Sequence, residues 1–297
     1  MSSNNWEGKS KGSALGYKIF IYTLKFLGVG FAYFLLRFVS LYYVCFSWKS
    51  NKPLKFIYKN IFSFSSIYTW WLVYKNYYNF GQTLLDKIVV MAGIDTKFTF
   101  DFENEFHLRE MAEYGKGGIL ISAHIGNWEI AGHLLERIQQ KINIVMYDAE
   151  HEKIKAAMSD VVKEKNFNII VVNEQNFSHI YAISEALDRN EIICIHGDRF
   201  VEGSKSIVKP FFGRPAEFPI GPYFLAVQYN VPVYFVYAMK DTTTHYHLYA
   251  YPPKSGWNEG KNKREKAEIL LEEYIVNLEK MLLKYPTQWY NFYKFWK

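Results

Sequence analysis

Gly118-Ile119-Leu120-Ile121-Ser122-Ala123-His124-Ile125-Gly126-Asn127-Trp128-Glu129 carries a short apolar run through a glycine and into the start of an amphipathic stretch. An unbroken apolar run of this length reads as a strand buried on both faces, the habit of a parallel sheet. Asn127 is a good N-cap, so a helix is predicted to open at Trp128. His124 and Glu129 are five positions apart, and on one continuous helix they would face about 140° away from each other. A tight turn through Gly126 instead brings the imidazole and the carboxylate together. A histidine steadied by an acid can take a proton from a hydroxyl at neutral pH. His124 and Glu129 are therefore the candidate catalytic pair, with Asn127 beside them.

Outward from this turn the same grammar repeats. Strands are predicted at 118–123, 142–147, 168–173 and 191–196, with helices at 128–139, 152–165 and 176–189 between them. The alternation implies βαβ units and an α/β fold with a mostly parallel central sheet flanked by helices. Runs 207–212, 232–239 and 245–251 add strands, some of them antiparallel, and 263–284 is an amphipathic helix. In open sheets of this kind ligands sit beyond the carboxyl ends of the strands. His124 follows one such strand and Asp198-Arg199 another, so two polar clusters stand at equivalent ends. Further on, Gly213-Arg214 allows close backbone approach and offers a guanidinium to a phosphate or carboxylate. Pro219 and Pro222 around Gly221 mark a helix start.

The first eighty residues are different. They hold ten Lys/Arg against the single acid Glu7, and 24 of the 56 aromatic residues. Basic side chains interleaved with rings suit an anionic membrane surface, where aromatic groups sit at headgroup depth and Lys/Arg snorkel. The aliphatic content is too high for a solvated stacking platform, which argues against nucleic acid as a partner. Residues 1–13 read as a disordered tail, 14–82 as membrane-associated aromatic-rich helices (15–48 and 53–80, parted at Ser50-Asn51-Lys52-Pro53), and 83–297 as the α/β domain. Lys18, Lys25 and Arg37 interrupt the apolar run from Tyr17 to Trp48 and leave it short of a clean span. This favours a helix lying in the interface, as an N-terminal anchor.

Catalytic alternatives are few. Cys45 and Cys194 lie in apolar segments without partners, no Gly-x-Ser-x-Gly elbow is present, and His245 and His247 share a strand face without a third ligand at suitable spacing. No metal, cofactor or covalent nucleophile is expected. A lipid hydrolase using His124 and Glu129 on water, or a lipid-binding protein without catalysis, are the competing classes.

The His-x-x-x-x-Glu of His124 to Glu129 resembles the first signature block of glycerolipid and lipid A acyltransferases, within the lysophospholipid acyltransferase superfamily. Gly197-Asp198-Arg199, Pro210-Phe211-Phe212-Gly213-Arg214-Pro215-Ala216, Gly221-Pro222 with Leu225-Ala226, and Val231-Pro232-Val233 resemble the later blocks of the bacterial late acyltransferases of lipid A biosynthesis. The likeness runs from about residue 15 to the end. It implies transfer of a fatty acyl chain from a thioester of acyl carrier protein, or of coenzyme A, to a hydroxyl or amine of a membrane lipid. It implies His124 as general base, Glu129 as the group that holds its tautomer, and Asn127, Asp198, Arg199, Gly213 and Arg214 as substrate-binding residues. It also implies an inner-membrane location with the site on the cytoplasmic face. Tyr147-Asp148 stands where family members commonly carry Arg-Pro, which leaves the acceptor open between a lipid A precursor and another glycolipid or aminolipid.

Overall fold

A computed structural model describes residues 14–91, 93–94, 97–128, 130, 140–147, 167–172, 178–200, 204–254 and 256–297. Among these residues, three helical segments lead: α1 (Ala14–Phe46), α2 (Trp48–Phe56) and α3 (Ser66–Met91). The chain then alternates β1 (Thr99–Glu103), α4 (Glu105–Tyr114), β2 (Gly118–Ser122), β3 (Ile142–Tyr147), β4 (Phe167–Val172), α5 (Ser178–Asp188) and β5 (Ile192–His196). It continues through β6 (Ser206–Phe211), β7 (Arg214–Pro219), α6 (Gly221–Tyr229), β8 (Val233–Lys240), β9 (His245–Tyr251) and α7 (Lys263–Lys284). The four strands expected between 118 and 196 are present within a residue of their predicted limits. Residues 1–13, and most of the helices expected at 128–139 and 152–165, lie outside the described residues.

The large sheet has the order β1-β9-β8-β2-β5-β3-β4. Strands β8, β2, β5, β3 and β4 are parallel, and β9 turns back antiparallel against β8 with β1 parallel to it. The fold is α/β, as the alternation of elements predicts. β2 lies at the centre, every residue of it buried. Its side chains divide by the period of two: Ile119 and Ile121 enter the core that α6 and α7 close, while Leu120 packs with Leu108 and Met111 of α4 on the other face. α7 starts where Asn262 Oδ1 accepts the amide of Glu265 at 3.0 Å. β6 and β7 form a separate hairpin whose turn residues, Phe212 and Gly213, both have positive φ. That is the two-residue geometry matched to strand twist.

The N-terminal helices depart from expectation. The predicted separator at 50–53 lies inside α2, because Asn51 is buried and held at both ends, its amide donating to Val44 O and its oxygen accepting from Tyr77. The breaks fall instead at Ser47 and after the π-turn at Ile57–Ile61. α1 kinks at Gly28, whose φ of 76° is outside helical space. α3 continues without interruption past residue 83, where the change in grammar had suggested a boundary. Gly81 of α3 has Leu36 so close that a Cβ would stand 2.3 Å from it, so the absence of a side chain there sets the approach of α1.

Polar groups fasten this helical layer to the sheet. Asp86 of α3 is fully buried and bonded to Tyr33 of α1, Lys240 at the end of β8 and Tyr246 of β9. Losing one partner of a buried pair strands the other charge in a medium that cannot solvate it, at about 3–5 kcal/mol. Asp86→Ala should therefore lower the urea midpoint by an amount corresponding to that cost, with the slope unchanged. A loss below about 1 kcal/mol would mean that Lys240 is solvated.

Candidate active site

β2 and β5 are adjacent, with Ser122 paired to His196. The chain leaves both strands at the same end of the sheet, so the residues after Ser122 and after His196 meet there. The turn after β2 is built by Gly126: its φ is 64°, and a Cβ would stand 2.2 Å from Ala238 O. Both facts exclude a side chain, and the amide of Asn127 donates to that same carbonyl at 2.7 Å.

The turn delivers His124, only 6% exposed, onto Asp198, which is completely buried. His124 Nδ1 is 2.8 Å from Asp198 Oδ1, and the His124 amide donates to Oδ2 at 3.1 Å. An ionised carboxylate only accepts, so Nδ1 carries the proton and Nε2 the lone pair. The indole of Trp289 also donates to Oδ2, at 3.4 Å. Burial by itself pushes the Asp198 carboxyl up, but His124 and its hydrogen bond, with Arg199 and His196, more than offset this and hold it well below the usual carboxylate range.

Two more rings complete the cluster. The His196 ring lies 4.3 Å from that of His124, and Trp128 stands edge-on to His196 at 5.0 Å. Burial, then the neighbouring His124, push the His196 imidazole well below the ordinary histidine value.

The C-terminal segment closes the back of the site. Gly126 N donates to Gln288 O at 2.9 Å and Tyr290 N to His124 O at 3.0 Å, making an antiparallel bridge between Ile125 and Trp289. Asn76 of α3 holds the same segment through Thr287 O and Trp289 O.

Of the residues singled out from sequence, His124, Asp198 and Arg199 are brought together. Arg199 donates to Tyr290 O at 2.6 Å and lies over the ring of Tyr293. Asn127 is fully buried and faces inward: Oδ1 caps Ile130 N at 3.4 Å, and the amide reaches Thr83 O and Tyr246. Gly213 and Arg214 are at the hairpin tip, where the Arg214 guanidinium lies 5.6 Å over Phe56 and Phe212 packs on Phe62. Glu129 lies outside the described residues. Asp198 as the carboxylate on Nδ1, and the parts of His196 and Trp289, were not assigned from sequence. The only available signal was that Gly197-Asp198 ends a strand, and which strand lies beside β2 is a matter of topology. His245 and His247, on β9 between β1 and β8, sit among carboxylates: Asp101 is 3.4 Å from His245, and Glu103 and Asp241 are each 3.8 Å from His247.

The sequence profile of the bacterial lipid A biosynthesis acyltransferases matches residues 17–297. The chain belongs to this family. It is also 26% identical, over 122 residues, to a phosphatidylinositol mannoside acyltransferase of Mycobacterium tuberculosis (strain ATCC 25618 / H37Rv), a match covering 41% of this chain and 38% of that protein. The protein of the same name from Mycolicibacterium smegmatis is 25% identical over 122 residues, 41% of this chain and 40% of its own length. The match thus spans about two fifths of the curated relatives' length.

In this family member, the depressed proton affinity of His196 has a consequence for stability. Unfolded histidine takes its proton near pH 6.5, about the model-peptide value, whereas folded His196 does so only well below. The unfolded state therefore binds more protons in that window. The stability contributed by a neutral His196 is complete above about pH 6.5 and is lost as pH falls towards the folded value. Denaturant midpoints measured from pH 7.5 to 5 should fall less steeply in His196→Phe than in the wild type, and equal slopes would contradict the assignment.

Proposed function

We propose that the protein is a membrane-associated acyltransferase that moves a fatty acyl chain from a carrier-protein or coenzyme A thioester to a hydroxyl or amine of a membrane glycolipid. The observation that carries this reading is the His124–Asp198 pair at the carboxyl end of the sheet, with Nδ1 anchored on a buried carboxylate. His124 Nε2 takes the proton of the acceptor hydroxyl as its oxygen attacks the thioester carbonyl. The tetrahedral adduct collapses, the carbon–sulfur bond breaks, and the leaving thiolate takes the proton back from the imidazolium. Asp198 stays ionised throughout and stabilises that imidazolium. A thioester is activated enough that a base, an oriented nucleophile and donors to the oxyanion suffice. Glu129, which the resemblance implies as the acid holding the His124 tautomer, is kept as a further candidate catalytic residue. Membership of the lipid A acyltransferase family and the named activity of the mycobacterial relatives both favour an acceptor with sugar hydroxyls on an anionic lipid.

The N-terminal helices support the location. α1 contains a stretch, Ile19–Phe46, long and apolar enough to cross a membrane. Leu24, Ala32, Tyr33 and Leu36 of α1 pack against Leu85 and Val89 of α3. Tyr22, Phe26, Phe34, Phe38, Tyr42 and Phe46 form an exposed stripe. With Ile67, Trp70 and Trp71 of α3 also exposed and Lys55 over the Trp70 ring at 3.3 Å, the arrangement suits a face pressed into an anionic bilayer surface. We place the protein on the cytoplasmic face of the inner membrane.

The test is a transfer assay with radiolabelled acyl carrier protein thioester, or acyl-CoA, and a panel of glycolipids, including a lipid A precursor and a phosphatidylinositol mannoside. Labelled lipid is expected; release of free fatty acid alone would mean a hydrolase, and no turnover a binding protein. General-base assistance is worth about 10²–10⁴-fold. His124→Ala should lose at least two orders of magnitude in kcat while folding normally, Asp198→Asn a comparable amount, and Glu129→Ala less. Near-full turnover by a folded His124→Ala would refute the mechanism.

A further inference from the structure

Among the described residues, His196 is the one imidazole beside the proposed base that the transfer mechanism above does not use. Its nitrogens make no hydrogen bond among the described residues, although its ring is fixed between those of His124 and Trp128. The other polar side chains named for the site are turned inward: Asn127 bonds to Thr83 O and Tyr246, and Arg199 to Tyr290 O. His196 is also partly exposed, where His124, Asp198 and Asn127 are buried.

Among the described residues, the charged and titratable groups facing it are His124, Asp198 and Arg199. Asp198 is spent on His124 and Trp289. Burial, then the neighbouring His124, disfavour the charged form of His196, so its ring is neutral. A neutral imidazole always carries one N–H, and held against a base it can serve as a donor without competing for the base's proton.

We propose that His196 is a further catalytic residue, donating its N–H to the thioester carbonyl oxygen as negative charge develops there. No proton is transferred: the hydrogen bond strengthens as the carbonyl becomes a tetrahedral oxyanion and relaxes when the carbon–sulfur bond breaks and the carbonyl re-forms. This rests on the acyl-transfer reading and assigns its oxyanion donor. Removal of one such donor typically costs about 10²–10³-fold in kcat.

Three variants separate donor from packing: His196→Phe keeps a ring without a donor, His196→Met has neither, and His196→Gln keeps an N–H. In the glycolipid transfer assay, Phe and Met should lower kcat about 100-fold with KM within about threefold. Gln should recover at least tenfold of that, with the acid limb of its pH profile unmoved because His124 is still the base. A Phe variant within twofold of wild type, or Phe and Gln falling equally, would overturn the proposal. Calorimetric binding of decylphosphonate, a tetrahedral anion on an alkyl chain, gives an answer independent of turnover. Binding at least tenfold weaker in Phe and Met than in Gln supports the donor, and equal affinities overturn it. Wild-type protein that binds the phosphonate but transfers no acyl group would refute the functional reading while leaving the anion-donor role of His196 standing.

Discussion

Asp198 has two oxygens and no access to water, and everything around the site is arranged to occupy them. One receives the imidazole N–H of His124; the other receives the His124 amide and the indole of Trp289. A buried carboxylate with an oxygen unmet would cost several kcal/mol or take up a proton. The position of His124 is thus a condition of burying Asp198 at all. The same constraint decides the tautomer, because an ionised acceptor on Nδ1 leaves the lone pair on Nε2. The proposed base is thus positioned by the need to satisfy an acid.

That carboxylate also explains why the last dozen residues are part of the site rather than a tail. Gln288, Trp289 and Tyr290 lie along the turn that carries His124, and Tyr274 and Tyr223 from the last two helices close the carbonyls of Ser122 and Gly197 at the strand ends. Asn76 and Asn79 of α3 hold Thr287, so the helical layer, the C-terminal segment and the turn after β2 form one bonded chain. A second buried acid, Asp86, does the same a few residues away, gathering Tyr33, Lys240 and Tyr246, with Asn127 bonded to Tyr246. The apolar layer and the reactive turn are therefore coupled by polar groups that have no alternative partner in water. In the proposed membrane-docked state, these links join the apolar helices to the turn.

Much of this was legible in the sequence where the signal is local. The apolar run at 118–122, the capping asparagine at 127 and the glycine at 126 require only nearest-neighbour physics, and each does what its residue type dictates. The amphipathic helix 263–284 coincides with α7 for the same reason. The N-terminal breaks were misplaced because Pro53 and its polar neighbours look like a loop. Nothing local reveals that Asn51 is buried against Val44 and Tyr77. Asn127 and Arg214 were read from sequence as substrate-binding residues, and the contacts they make come from elements far away along the chain. The first is spent on holding the turn against α3 and β9, and the second lies over Phe56.

By itself the sequence determined that an imidazole would stand at the end of a buried strand, that a second polar cluster would end another, and that an aromatic, basic segment would lead the chain as helices. These follow from period, burial and charge along the chain. That Asp198 meets the imidazole could not be determined this way, because the two residues are seventy-four positions apart. Separation along the chain carries no information once strands are shuffled into a sheet. Only the adjacency of β2 and β5, enforced by two-sided burial of β2, placed Asp198 and His196 beside His124, and only the return of the C-terminus placed Trp289 behind them.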